Sequence, residues 1–155
     1  MQRNTLLAAG AIVSALLALS ACGGTAALSK PAYINKADAI CKTASTQIKG
    51  LGSPKDAKGF VTLLDRATPI ETKLLSDLEG LAKPKADAKA LQTQYFDVYD
   101  RAVTQLKKVQ VEADKAGGDP AKLSKLAGSL NGFNTAAADK YIGGYGIHSC
   151  SQGGG

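Results

Sequence analysis

The sequence contains no tryptophan and only one histidine, His148. A lone imidazole has no second histidine with which to share a metal, and no Glu-x-x-His pair of the dinuclear bundle type is present. A Ser-His-Asp arrangement is formally open to His148, but no nucleophile elbow frames a serine. The glycine-rich Gly143-Gly144-Tyr145-Gly146 follows no strand, so it matches neither a P-loop nor a dinucleotide fingerprint. Carboxylates two apart, Asp77 with Glu79 and Glu112 with Asp114, face different sides of a helix. Asp97 and Asp100 flank Tyr99, and Asp97 stands four residues before Arg101, the spacing of a surface ion pair. These gaps lead us to expect no enzyme, no metal site and no cofactor.

The basic residues lack any cluster. The net charge is +6, and removing Arg3 with an export signal leaves 18 of 19 bases against 13 acids, a balance of +5. Sixteen of those bases are lysines, and no run is longer than Lys107-Lys108. Nucleic-acid surfaces concentrate Arg and Lys and interleave aromatics, so no nucleic-acid partner is expected. A solvated, lysine-studded helical surface fits better, with at most a weak attraction to anionic lipid headgroups.

What is present begins at the N-terminus. Met1-Gln2-Arg3-Asn4 is a short basic start, and Leu6 to Leu19 is a mostly apolar run of 14 residues without charge. That is the length of a signal-peptide apolar region and short for a membrane span of about 20 residues. It ends in Leu19-Ser20-Ala21-Cys22, followed by Gly23-Gly24, which resembles a bacterial lipobox. The resemblance implies cleavage before Cys22 and a diacylglycerol on its thiol. Two acyl chains anchor far more durably than one, because each buried CH₂ contributes about 0.8 kcal/mol. An ordinary secretory signal cut near Ala21 and a retained N-terminal helix are the alternatives. Residues 1–21 are thus expected to be a signal peptide and 22–30 a lipidated cysteine with a flexible tether. The expected folded domain is 31–150, and 151–155 a free tail.

Three cysteines are an odd count for an exported chain. With lipid on Cys22, an oxidising compartment would pair Cys41 with Cys150. Two unpaired thiols are the alternative. A metal site fits less well, since Cys41 has no CxxC partner.

No stretch of the folded part alternates at period two. Apolar residues recur at three and four instead, and the 45% apolar and 21% charged composition suits one globular domain. Pro31, Pro54, Pro84 and Pro120 stand at expected helix starts, with Ser53 and Asp119 as N-caps and Ser53 with Asp56 as a weak capping box. Gly50, Gly52, Gly80, Gly117-Gly118 and Gly143-Gly144 stand at expected stops. The pattern predicts helices over 31–49, 54–82, 84–116 and 120–142. Each has one apolar stripe that must be buried against the others, giving an all-α, up-down four-helix bundle. Pro69 falls inside the second helix, where the unbroken apolar phase favours a kink over a break. A disulfide would require the tail from Gly143 to Cys150 to run extended across the bundle toward Cys41, with Tyr145 and Ile147 as plugs.

One segment stands out. Gln94-Tyr95-Phe96-Asp97-Val98-Tyr99 holds three of the eight aromatic residues. Helical phase turns Tyr95 and Val98 or Tyr99 inward and leaves Phe96 outside. Tyr95, Phe96 and Tyr99 are therefore the candidate ligand or partner patch, the plainer reading being a core layer with one exposed Phe.

Ala37-Asp38-Ala39-Ile40-Cys41 and the closing Tyr145-Gly146-Ile147-His148-Ser149-Cys150 resemble a group of small exported helical proteins of actinobacteria. Those carry Ala-Asp-x-Ile-Cys near the mature start and end in Gly-x-x-x-Cys. The resemblance spans about 30–151. It implies a Cys41–Cys150 bridge and a lipoprotein or secreted setting, and carries over no catalytic residue. The expected protein is a lipid-anchored, extracytoplasmic module of the cell envelope, held in the membrane by diacylglycerol on Cys22. It would bind an envelope protein without catalysis. The alternative is a carrier or sensor that holds a small apolar ligand between its helices.

Overall fold

The structure, a computed structural model, describes residues 26–130 and 132–151. The expected signal peptide, Cys22 and residues 152–155 lie outside the described residues. Within them every regular element is helical.

Helix α1 (Lys30–Lys49) matches its expected span. Ser29 caps it by accepting the Ala32 N–H, and Pro31 sits in the first turn, where a missing N–H costs nothing. Just before it, the Leu28 N–H donates to the Ala82 carbonyl at 3.2 Å. The start of α1 is thereby fixed beside the end of α2 (Ala57–Glu79).

Helix α2 is shorter at both ends than the predicted 54–82. Its cap is Asp56, not Ser53: Oδ1 of Asp56 accepts the Gly59 N–H at 2.6 Å. A carboxylate there answers both the free N–H groups and the positive end of the helix dipole. At the other end Gly80 donates its N–H to Ser76 O and the helix stops. Pro69 lies inside α2 without ending it. The proline is exposed, so the carbonyl deprived of its bond faces water.

The third predicted helix, 84–116, starts late and carries an insertion. Pro84 opens a turn closed by the Asp87 N–H, and α3 (Ala88–Leu91) follows. Then comes a π-helical turn, Gln92–Phe96, leading directly into α4 (Asp97–Lys115). Across that turn the Asp97 N–H reaches the Gln92 carbonyl five residues back. The Gln92 Nε2 donates to Asp97 Oδ1 at 2.8 Å over the same gap. Asp97 is thus engaged with Gln92, and the expected Asp97–Arg101 pair is not formed.

The fourth predicted helix, 120–142, is two helices. Asp119 caps α5 (Pro120–Leu130) by accepting the Ala121 and Lys122 N–H groups. Helix α6 (Ala136–Tyr145) begins afresh at Thr135. Leu130, Phe133 and Ala137 happen to keep helical spacing across the gap, which is why the pattern concealed it.

The tail departs most from expectation. Gly143 and Gly144 are inside α6 and stop nothing. The stop is Gly146, at φ +110°, where an added Cβ would also sit 3.2 Å from Ile34 Cδ1. A short α7 (His148–Ser151) then packs on both α6 and α1. The tail is a tight helical hairpin, not an extended strap. Gly143 permits the close approach, since a Cβ there would stand 3.0 Å from Ser151 Cβ. Ser151, expected to begin a free tail, closes α7.

Two apolar clusters result. The larger joins Tyr33, Ala37 and Cys41 of α1 to Leu75 and Leu78 of α2, Tyr95 and Phe96, Ala138 and Ile142 of α6, Ile147 and Cys150. The smaller joins Leu64 of α2, Val109 and Ala113 of α4, and Leu123 of α5, with Phe133 packed against it. Cys41 and Cys150 form a disulfide with Cα atoms 5.1 Å apart, closing a sequence separation of 109 residues.

Candidate ligand cleft between the two clusters

Phe96 is in the core, and the reading that left it outside is corrected. It is 1% exposed, packed edge-on against Tyr95 and covered by the Lys83 ammonium, 4.3 Å from its ring. The π turn is the cause. One extra residue in the turn rotates the chain by about a third of a revolution, and the adjacent Tyr95 and Phe96 both face inward. Phe96 therefore offers no surface patch. The one large apolar side chain exposed among the described residues is Val111.

Tyr95 and Tyr99 instead meet a cleft of about 400 Å³ that opens where the two clusters part. Its apolar walls come from every long helix: Ile48 on α1, Leu74 on α2, Ala102 and Leu106 on α4, Leu130 on α5 and Phe133 after it. Ala102 keeps the α4 wall thin. The Cys41–Cys150 bridge lines one side.

Ser45, Lys49 and Ser149 also line the cleft, and a further group of polar side chains is linked together in it. The Tyr95 and Tyr99 rings lie tilted at 35° with centroids 4.5 Å apart. The Tyr99 hydroxyl donates to Asp139 Oδ1, and the Thr135 hydroxyl donates to Asp139 Oδ2 at 2.9 Å. Thr135 and Asp139 are four apart across the first turn of α6, so the helix start that the sequence concealed builds this corner. Glu71, half-buried on α2, brings a second carboxyl into the cleft.

Burial dominates the electrostatics. It raises the pKa of Glu71 above the ordinary glutamate value. It also pushes the Tyr99 hydroxyl far up, helped by Tyr95, by the bond to Asp139 and by the charges of Asp139 and Glu71. Tyr95 is driven up by burial first and then by the same two carboxylates. Tyr99 and Tyr95 are thus locked as neutral donors. Asp139, held by two hydroxyls, is fixed in place, whereas no described side chain hydrogen-bonds or ion-pairs with Glu71.

The remaining sequence candidates fall elsewhere. His148 is exposed on α7 and does not line the cleft. Cys41 and Cys150 are bonded and structural. Asp38 sits one turn before Cys41 and accepts both the N–H and the hydroxyl of Ser149, so both ends of the Ala37–Cys41 motif serve to hold α7. Among the described residues no group of three His, Cys, Asp or Glu side chains could hold a metal ion.

Sequence reasoning missed Glu71 and Asp139. Glu71 did leave a trace: it is four residues after Ala67 and three before Leu74, on the edge of the apolar stripe of α2. Asp139 left none, because its partner Tyr99 is 40 residues away. Comparison with known proteins adds no relative, since no protein-family model, no curated protein and no solved structure matches the chain.

Proposed function

We propose that this protein is a carrier or sensor that holds one small, mainly apolar molecule in the cleft between its two clusters. The observation that carries this reading is the cleft itself. At about 400 Å³ it falls in the range of small-molecule sites, and its largely apolar wall carries a few placed polar groups. Burial of Phe96 weighs against the other reading, a module that docks an envelope protein through an exposed aromatic patch. The setting we propose is extracytoplasmic: an up-down helical bundle exported by the 1–21 signal and anchored by diacylglycerol on Cys22. The lipobox-like Leu19–Cys22 motif and the oxidised Cys41–Cys150 pair support it. The resemblance to small exported actinobacterial proteins points the same way.

Native mass spectrometry of the full-length protein, extracted from its host membrane, tests the function. A small molecule should co-purify, and Ala102→Phe, which fills the cleft, should abolish it. A co-purifying protein that tolerates Ala102→Phe would overturn the carrier reading. The anchor is tested separately: the intact mass of the purified protein should show an N-terminus at Cys22 carrying a diacylglycerol, and an unmodified Cys22 would overturn it.

A further inference from the structure

We infer that the polar part of the cleft selects a cation, so that the ligand is a small amphiphile with an ammonium head and an apolar body. The inference rests on the carrier reading and specifies its ligand. Three observations converge on it. Two carboxyls, Glu71 and Asp139, line a mainly apolar cleft, and both act on Tyr95 and Tyr99. Two tyrosine rings, Tyr95 and Tyr99, stand beside them, and aromatic faces next to carboxylates attract ligand cations. Glu71 has no partner among the described side chains, while Asp139 is already held by Tyr99 and Thr135.

Among the described residues the only cation lining the cleft is Lys49, at the exposed last turn of α1, and no ion pair within 4.0 Å joins it to either carboxyl. A half-buried carboxylate without a counter-charge is costly, which its raised pKa records. An ammonium group placed beside Glu71 and the tyrosine faces removes that cost. An anionic head would meet two carboxyls instead. The apolar body would run along Leu106, Leu130 and Phe133.

Calorimetric titration of residues 23–155 tests this; they hold every described helix and carry neither the lipid nor the apolar Leu6–Leu19 run, which keeps the protein free of micelles that would absorb the probes. The probes are decyltrimethylammonium, decyl sulfate and decanol, each below its micelle concentration. Decyltrimethylammonium should bind at least about tenfold tighter than decyl sulfate, a difference of about 1.4 kcal/mol. Glu71→Gln should remove most of that preference. Decyl sulfate binding as tightly as the ammonium probe would overturn the inference and leave the carrier reading intact. So would a preference that survives Glu71→Gln. Should Glu71→Gln fail to fold, the ranking of the three probes on the unsubstituted cleft decides alone. Binding of none of the three would remove the carrier reading and the inference together.

Discussion

Asp38 holds Ser149 twice: Oδ1 accepts the Ser149 N–H at 2.7 Å and Oδ2 accepts its hydroxyl at 3.0 Å. Three residues later Cys41 binds Cys150. One face of α1 thus grips α7 by a carboxylate and a sulfur, and the wall of the cleft depends on both.

Reduction of the bridge, or Cys41→Ala with Cys150→Ala, should lower stability by about 4–5 kcal/mol in the chain-entropy model, given the 109-residue separation. Asp38→Ala should cost about 1–3 kcal/mol by leaving the Ser149 N–H without its acceptor. Denaturant unfolding of each variant, with and without reductant, checks both figures.

Phe96 distinguishes the π turn from a regular helix. Because the side chain is buried, Phe96→Ala should cost about 3–5 kcal/mol. A surface phenylalanine would cost about 0.5 kcal/mol or less. A loss that small in urea unfolding would mean that Phe96 points outward after all.

Gly146 is at φ +110° with Ile34 against it. Gly146→Ala should therefore destabilise by more than the ordinary penalty of about 1 kcal/mol for a left-handed residue, since the methyl also displaces Ile34. Gly144, with open space around its Cβ position, is the control: Gly144→Ala inside α6 should stabilise by about 0.5–1 kcal/mol. Thermal unfolding of the two variants should shift in opposite directions.

All five tyrosines have raised pKa values. Burial leads in each case, and Tyr33 is pushed up to about 12. In the unfolded chain they ionise near the ordinary 10.0. Between those values the folded state binds more protons than the unfolded state. Stability is therefore whole below pH 10 and falls as the pH rises toward 12. Tyrosinate absorbance at pH 10 should stay well below that of the urea-unfolded chain, then rise together with loss of helical circular dichroism. Half-ionised tyrosines at pH 10 in a protein still folded would contradict this burial.

Thr68 and Thr72 carry buried hydroxyls with no hydrogen-bond partner among the described residues. Thr68→Val replaces a hydroxyl by a methyl of similar size. It should raise stability by about 1 kcal/mol, since an unpaired buried hydroxyl costs about 1–3 kcal/mol. Unfolding midpoints in guanidinium give the answer, and a destabilised Thr68→Val would mean the hydroxyl has a partner.

Local chemistry alone determined a good part of this molecule. Ser29 with Pro31 sets the start of α1, Asp119 with Pro120 that of α5, and apolar spacing of three and four makes the described elements helical, because each signal acts within one turn of the chain. The cysteine count pointed to the Cys41–Cys150 bridge only once Cys22 was set aside for lipid. Tertiary structure decided the rest. The π turn at Gln92–Phe96 is stabilised by burying Tyr95 and Phe96 together against α6, so nothing within Gln92-Thr93-Gln94 announces it. The gap between α5 and α6 keeps helical spacing in sequence and exists because Phe133 belongs to one cluster and Ala138 to the other. The cleft is the space between those clusters. Its corner, Glu71 with Tyr99 and Asp139, draws on α2, α4 and α6, and contacts so distant along the chain leave no period for a sequence to display.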